Sequence, residues 1–273
     1  MRRGEKFERE MLSFLKDAGF KDVNGGGTFK IGDVQVDALG GFDDALFVIK
    51  CVSSSKRRRM SIKRKIREFK GIIPYLERNL ESHEIYQKYS RRIFVLALKN
   101  IEIPDSNRKF AEEEPKVYIW DSDFVDYYFK LSKAIGKYTV YNIMGDLDIS
   151  PSKKDIVAVP ALRSTLGKYR VYSFWVDPKE LLKYAYVARR EIKKEHYYQR
   201  FIDGRRIKKM AKEYIDRGNI YPNSIIIAIN ASCDFKEFSD WHSDLSFPKN
   251  VSFGILTFPK TYRSCWVIDG QHR

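Results

Sequence analysis

VQVDALGGFDDALFVIKCV, residues 34–52, joins two apolar runs through a Gly-Gly turn. The first run, Val34–Leu39, follows Thr28–Ile31 across a Gly-Asp turn, and this arrangement predicts a β-hairpin. The second run, Ala45–Val52, is apolar apart from one lysine, which predicts a strand in the centre of a sheet. The segment therefore predicts a sheet that starts with a hairpin and continues into a buried strand.

Helices and further strands are predicted on both sides of this segment. Apolar residues recur at helical spacing within residues 5–18. Downstream, the pattern predicts strands at Ile93–Leu98 and Val117–Trp120 and helices over residues 56–70 and 123–135. This order predicts an α/β (α+β) fold for residues 1–148, with a mixed sheet and flanking helices.

A second α+β domain is predicted over residues 156–273, after a Ser/Pro/Lys linker at residues 150–154. Its helices are predicted at Pro178–Arg190 and over residues 207–217. Its strands are predicted at Ile156–Val159, Tyr169–Val176, Ser224–Asn230, Ser252–Phe258 and Cys265–Ile268. The sequence stops directly after a strand and turn, so we expect this domain to be incomplete at its C-terminus.

Composition narrows the class of protein. Lys and Arg total 51 against 36 Asp and Glu, a net charge of +15 that favours a polyanionic partner. There is no apolar run of about 20 residues, which a membrane span needs, and no apolar segment behind the N-terminal charges. The three cysteines are far apart, which argues against a disulfide framework and a zinc site. These features predict a cytoplasmic protein without a membrane partner.

The first half carries Glu8 on the predicted first helix, Asp37 on the hairpin and Lys50 on the central strand. The matching segments GEKFE, VDALG and FVIKC resemble the restriction-endonuclease-like superfamily, the PD-(D/E)xK nucleases. That resemblance implies a divalent metal held by an Asp and a Glu, with a Lys two residues after the Glu activating water.

This sequence departs from the nuclease pattern at two positions. Lys50 stands where the metal-binding Glu belongs, and Val52 stands where the Lys belongs. A lysine cannot ligate Mg²⁺, so the centre is predicted to be degenerate. Asp37 is the candidate metal ligand, and together with Glu8 it could still hold a loosely bound ion. In the competing structural interpretation, Asp37 caps a turn, Glu8 is a solvated helix residue and Lys50 extends out of an apolar strand.

The segment 56–70 is strongly basic, since nine of its fifteen residues are Lys or Arg and only Glu68 is acidic. Like charges at this density destabilise a helix unless an anion compensates them. The alternative is a solvated helix surface. The candidate DNA-binding residues of this segment are Arg57, Arg58, Arg59, Lys63 and Lys65.

The last five residues, DGQHR, follow the apolar run CWVI at a predicted strand end. With an upstream YQR segment they resemble the DGQHR-domain family, which includes the DNA sulfur-modification regulator DndB, and more distantly the ParB-like fold. The resemblance implies DNA binding and, in several relatives, binding or hydrolysis of nucleoside triphosphates. The alternative is an ordinary turn. The candidate nucleotide- or phosphate-binding residues are Gln199, Arg200, Asp269, Gly270, Gln271, His272 and Arg273.

The sequence thus predicts a DNA-binding accessory or regulatory protein of a prokaryotic DNA-modification or phage-defence system. Its expected partners are DNA and other components of such a system, and its candidate cofactors are Mg²⁺ and a nucleoside triphosphate. The alternative function is enzymatic: a metal-dependent DNA endonuclease, or a DNA-processing enzyme that hydrolyses nucleotides at the DGQHR motif. Charge alone also permits an RNA-binding or scaffold protein.

Overall fold

A computed structural model describes residues 3–113, 116–187, 201, 204–218, 224–238 and 250–270. The described residues divide into two compact units, the first ending at Ile143 and the second starting at Met144. The domain limits drawn from the sequence, 1–148 and 156–273, stay a prediction. None of the helices in the described ranges is both long enough and apolar enough to cross a bilayer.

The first unit contains a five-stranded mixed sheet. Its strands are β1 (Lys21–Asn24), β4 (Ala38–Phe42), β5 (Ala45–Arg59), β6 (Arg91–Glu102) and β7 (Val117–Trp120). They lie in the order β1-β4-β5-β6-β7, antiparallel from β1 to β5 and parallel from β5 to β7. A separate two-stranded hairpin is formed by β2 (Lys30–Ile31) and β3 (Val34–Gln35).

Helices α1 (Arg3–Ala18), α2 (Lys63–Glu81), α3 (Asp105–Glu112) and α4 (Ser122–Ile135) flank this sheet. Helix α5 (Thr139–Asp146) follows them and runs from the first unit into the second. Successive side chains of a strand point to opposite faces. Leu46 and Val48 therefore pack with the apolar stripe of α2, while Phe47 packs against Trp120, which also contacts Phe14 of α1. The mixed sheet with flanking helices confirms the predicted α+β fold.

Two predicted elements of the first unit were wrong in detail. Val34–Leu39 is not one strand, because β3 ends at Gln35 and the chain enters the main sheet again at Ala38. The segment 56–70 is not one helix, because β5 continues to Arg59 and α2 starts at Lys63. The sequence prediction also missed β1, α3 and α5.

The second unit contains two sheets. The first has the antiparallel order β12-β13-β8-β9, formed by β8 (Ile156–Leu166), β9 (Tyr169–Phe174), β12 (Asp234–Glu237) and β13 (Val251–Pro259). The second has the order β10-β14-β11, formed by β10 (Ala185–Tyr186), β11 (Ile226–Ile229) and β14 (Cys265–Asp269).

The helices of the second unit are α6 (Pro178–Tyr184) and α7 (Gly204–Met210), the latter followed by a π-helical turn at Ala211–Ile215. The predicted helix Pro178–Arg190 is wrong at residues 185 and 186, which pair with β14 instead, and its last three residues lie outside the described ranges. Leu181, Tyr184, Leu256 and Phe258 are buried in the common core of this unit.

Candidate functional site

Helix α1 brings Glu8 to the sheet. Phe7 and Met11 are buried, so the helix is fixed against the sheet by its apolar stripe. Glu8 follows Phe7 directly and stands at the edge of that stripe, where its side chain is partly buried. The carboxylate is therefore held beside the sheet and not in free solvent.

Asp37 and Lys50 are in direct contact. Asp37 lies in the short link between β3 and β4 and is only 3% exposed. The ammonium of Lys50 lies 3.0 Å from Asp37 Oδ1, and the backbone N–H of Cys51 donates to Asp37 Oδ2 at 2.8 Å. Both carboxylate oxygens are thus engaged by β5. The structure brings the sequence-predicted residues together, although Asp37 precedes its strand.

A loop that contains Gly25 and Gly26 packs against Asp37 and Glu8. Gly25 has a φ of 139°, and a Cβ there would lie 2.6 Å from Ala38 Cα and 2.7 Å from the Asp37 carbonyl oxygen. Only glycine allows that approach. A Cβ at the next residue, Gly26, would lie 3.6 Å from Glu8 Oε2 and 3.9 Å from the Asp37 carbonyl oxygen. Glu8 and the backbone of Asp37 therefore border one small space.

The electrostatics of this group follow from its burial. Burial raises the pKa of Glu8, the Asp37 carboxylate raises it further, and Lys50 opposes the rise. Burial, together with the Asp37 and Glu8 carboxylates, also holds the pKa of the Cys51 thiol well above its ordinary range. The thiol is therefore protonated at neutral pH and does not supply a nucleophile.

The residues around Asp37 do not fit a divalent metal ion. Mg²⁺ takes oxygen ligands at about 2.0–2.1 Å, and the Lys50 ammonium already occupies the approach to Asp37 Oδ1. Val52 is partly buried and packs against the core on the α2 face. Within the described ranges, no three His, Cys, Asp or Glu side chains gather in a way that would hold a metal.

The predicted DNA-contacting cations fall on two elements instead of one helix. Arg57, Arg58 and Arg59 form the end of β5, whereas Lys63 and Lys65 lie in the first turn of α2. Two of these cations already have acidic partners. Arg57 lies 3.0 Å from Asp123, and Lys65 lies 3.0 Å from Glu68. The cations of this basic segment therefore differ in secondary structure and in ionic partners, although they follow one another closely in the sequence.

The DGQHR motif is described only at its beginning. Strand β14 ends at Asp269, whose side chain is exposed. Gly270 has a φ of 95°, a conformation that suits glycine at a turn. The other candidates of this site, Gln199, Arg200, Gln271, His272 and Arg273, lie outside the described residues. The nucleotide- or phosphate-binding site therefore stays a prediction.

An ionic cluster before β14 escaped the sequence prediction. Arg263 Nη1 donates to the Gly145 carbonyl at 3.0 Å and lies 3.3 Å from Asp146 Oδ1. The hydroxyl of Tyr186 also donates to Asp146 Oδ1 at 3.1 Å, and the Arg263 guanidinium lies 4.2 Å from the Tyr186 ring centroid. The Asp146 side chain is 2% exposed, so the cluster is a buried anchor for the start of β14.

Comparison with protein families gives two separate matches. Residues 1–116 match the archaeal Holliday junction resolvase (Hjc) family, and residues 159–273 match the DndB family, described as DNA-sulfur modification-associated. Searches of curated proteins and of solved structures found no match. The two family matches confirm both resemblances noted in the sequence. They support a DNA-modification-related protein with a nuclease-like domain.

Proposed function

We propose that this protein is a DNA-binding accessory or regulatory component of a prokaryotic DNA-modification or phage-defence system. It works in the cytoplasm, and its first domain keeps a nuclease-like fold without cleaving DNA. The observation that carries the proposal is the contact between Lys50 and Asp37, which puts an ammonium where a metal-dependent nuclease needs a ligand. The matches to a resolvase family and to a DNA-modification family support DNA as the partner.

The different roles proposed for the two domains follow from their chemistry. A centre with an ion-paired aspartate cannot assemble the metal-bound water that phosphodiester hydrolysis of this type uses. The basic surface remains, and it binds DNA by releasing counterions from the phosphates. The second domain would then link this binding to the modification system.

A plasmid assay tests the loss of cleavage. Supercoiled DNA incubated with the protein and Mg²⁺ or Mn²⁺ should stay supercoiled, while its mobility in a native gel is retarded. Nicking that disappears in Asp37→Ala but persists in Asp17→Ala, an exposed residue of α1, would show that the centre is active and refute the proposal.

A further inference from the structure

The end of β5 is an exposed strand edge. Strand β4 pairs with β5 only over Ala45–Ile49, and Cys51 is held by Asp37. Beyond Val52, none of the described residues forms a strand on that side of β5. Residues 55–59 are all exposed. Their backbone groups on the side away from β6 therefore have no neighbouring strand there.

A bulge sets this end apart from the rest of the sheet. Ser53 pairs with Lys99 of β6, and the pairing resumes only at Arg58, which faces Ile101. Residues 54–57 thus stand opposite a single residue, Asn100. Asn100 takes a positive φ of 57° and its side-chain amide donates to the Ser54 carbonyl at 3.0 Å, which fixes the bulge. The strand end is displaced from regular pairing by a defined structure.

The charges on this end are largely uncompensated. Residues 55–59 read Ser, Lys, Arg, Arg, Arg without an acid. Arg57 pairs with Asp123, whereas neither Lys56 nor Arg59 forms an ion pair with any described residue, although Glu102 is the cross-strand neighbour of Arg59. Arg58 contacts the sulfur of Met60 at 3.7 Å. Three exposed cations are therefore available to an anion.

The first turns of α2 provide the contrast. Arg64 and Lys65 both pair with Glu68, at 2.7 and 3.0 Å. Arg67 lies 5.3 Å from the ring centroid of Phe110. These cations are as exposed as those of β5, but each already has a local partner.

From these observations we infer that residues 55–59 of β5, and not helix α2, form the main contact with the DNA phosphates. This inference rests on the proposed function. A strand rises about 3.3 Å per residue and points successive side chains to opposite faces, so residues 55–59 present cations to a phosphate backbone on both sides of this edge. The alternative partner is a peptide strand that pairs with this edge. Such a partner is recognised through pockets for its alternate side chains, whereas residues 55–59 offer positive charge, which favours DNA.

A pair of matched variants tests the inference. The edge variant carries Lys56→Ala, Arg58→Ala and Arg59→Ala, and the helix variant carries Arg64→Ala, Lys65→Ala and Arg67→Ala. Both lose three positive charges. Fluorescence anisotropy with a short duplex should show a loss of about tenfold or more for the edge variant near 0.1 M salt, and a log–log salt slope lower by about 2–3. The helix variant should change the slope by less than about 1.

The possible outcomes separate this inference from the proposed function. Equal losses in the two variants would show that only net charge matters and would overturn the inference. Poly-glutamate competing as well as duplex DNA at equal charge would assign the edge to an acidic protein and would also overturn it. If the wild type does not bind DNA, the proposed function fails together with the inference. A second edge variant, with glutamine in place of alanine at residues 56, 58 and 59, must show the same loss of DNA affinity. Its unfolding curve must match that of the wild type, so that the loss cannot be due to misfolding.

Discussion

At the scale of single residues, Lys50 determines the chemistry of the nuclease-like centre. Its ammonium compensates a carboxylate that is almost fully buried, and a buried carboxylate without a partner is costly. The same contact blocks the oxygen that a metal would use. One side chain thus stabilises the site and, in the function we propose, keeps a metal ion away from Asp37.

Replacement of this lysine should create a metal-dependent protein. Lys50→Glu removes the ammonium and adds a carboxylate beside Asp37 and Glu8, so we expect unfolding to be easier by about 1–3 kcal/mol in EDTA. Mn²⁺ should restore much of that stability by binding the folded state. Thermal unfolding with and without Mn²⁺ measures both effects.

The control for this experiment is Lys50→Gln, which removes the charge without adding a ligand. It should respond less to Mn²⁺ than Lys50→Glu. Stabilisation of the wild type by Mn²⁺, or no response in Lys50→Glu, would contradict our interpretation of the centre.

Glu8 gives a pH-dependent prediction. Its pKa is raised in the folded protein, so the folded state binds a proton more tightly than the unfolded chain does. The wild type should therefore lose stability as pH rises from the ordinary pKa of a glutamate through the raised one. Glu8→Gln should unfold at a higher temperature than the wild type near neutral pH, with the difference vanishing below the ordinary pKa. Exposed Glu84→Gln should show no such trend, and a lower melting temperature for Glu8→Gln near neutral pH would refute the argument.

At the scale of secondary structure, apolar periodicity predicted the elements whose stripe faces a core. The helices near residues 5–18 and 123–135 and the strand Val117–Trp120 are found close to the predicted limits. Residues 56–59 were predicted wrongly because they have no apolar pattern. Their strand conformation is set by pairing of Arg58 and Arg59 with β6, more than 40 residues away.

The same reasoning explains which side-chain contacts the sequence could indicate and which it could not. The order of Glu8, Asp37 and Lys50 could be compared with a known family pattern, and the structure brings them together. The partners Arg263 and Gly145 are separated by 118 residues, and no local pattern links them. Contacts of this kind depend on the tertiary fold and carry no signal in a single sequence.

The cluster around Arg263 should control the stability of β14. Arg263→Ala leaves the buried Asp146 carboxylate without its cation, which should destabilise the second unit by about 3 kcal/mol. Gly145→Ala should also be destabilising, because a Cβ there would lie 2.3 Å from the Cδ and Cγ atoms of Arg263. Thermal unfolding measures both, with the exposed Arg170→Ala as the control. Unchanged stability in Arg263→Ala would show that the cluster does not anchor the strand.

At the scale of the whole molecule, the net charge and the chemistry of the Asp37 centre both lead us to expect DNA binding that needs no metal ion. The net charge of +15 favours a polyanionic partner such as DNA, and an attraction of this kind falls with salt. A nuclease centre that holds metal adds a second route, because the ion bridges carboxylates and phosphate. In the function we propose, Lys50 closes that second route, so DNA binding should depend on protein cations alone.

DNA binding should therefore not require a divalent ion. At matched ionic strength, the affinity for a short duplex in Mg²⁺ should equal that in EDTA or be weaker, because Mg²⁺ competes with the protein for the phosphates. Lys50→Glu is the matched contrast, since its added carboxylate should make binding rise with Mn²⁺. Fluorescence anisotropy of both proteins under the two conditions gives the comparison. Tighter binding of the wild type in Mg²⁺ would mean that a metal bridges protein and DNA, and the centre would then have to open around Asp37 when DNA arrives.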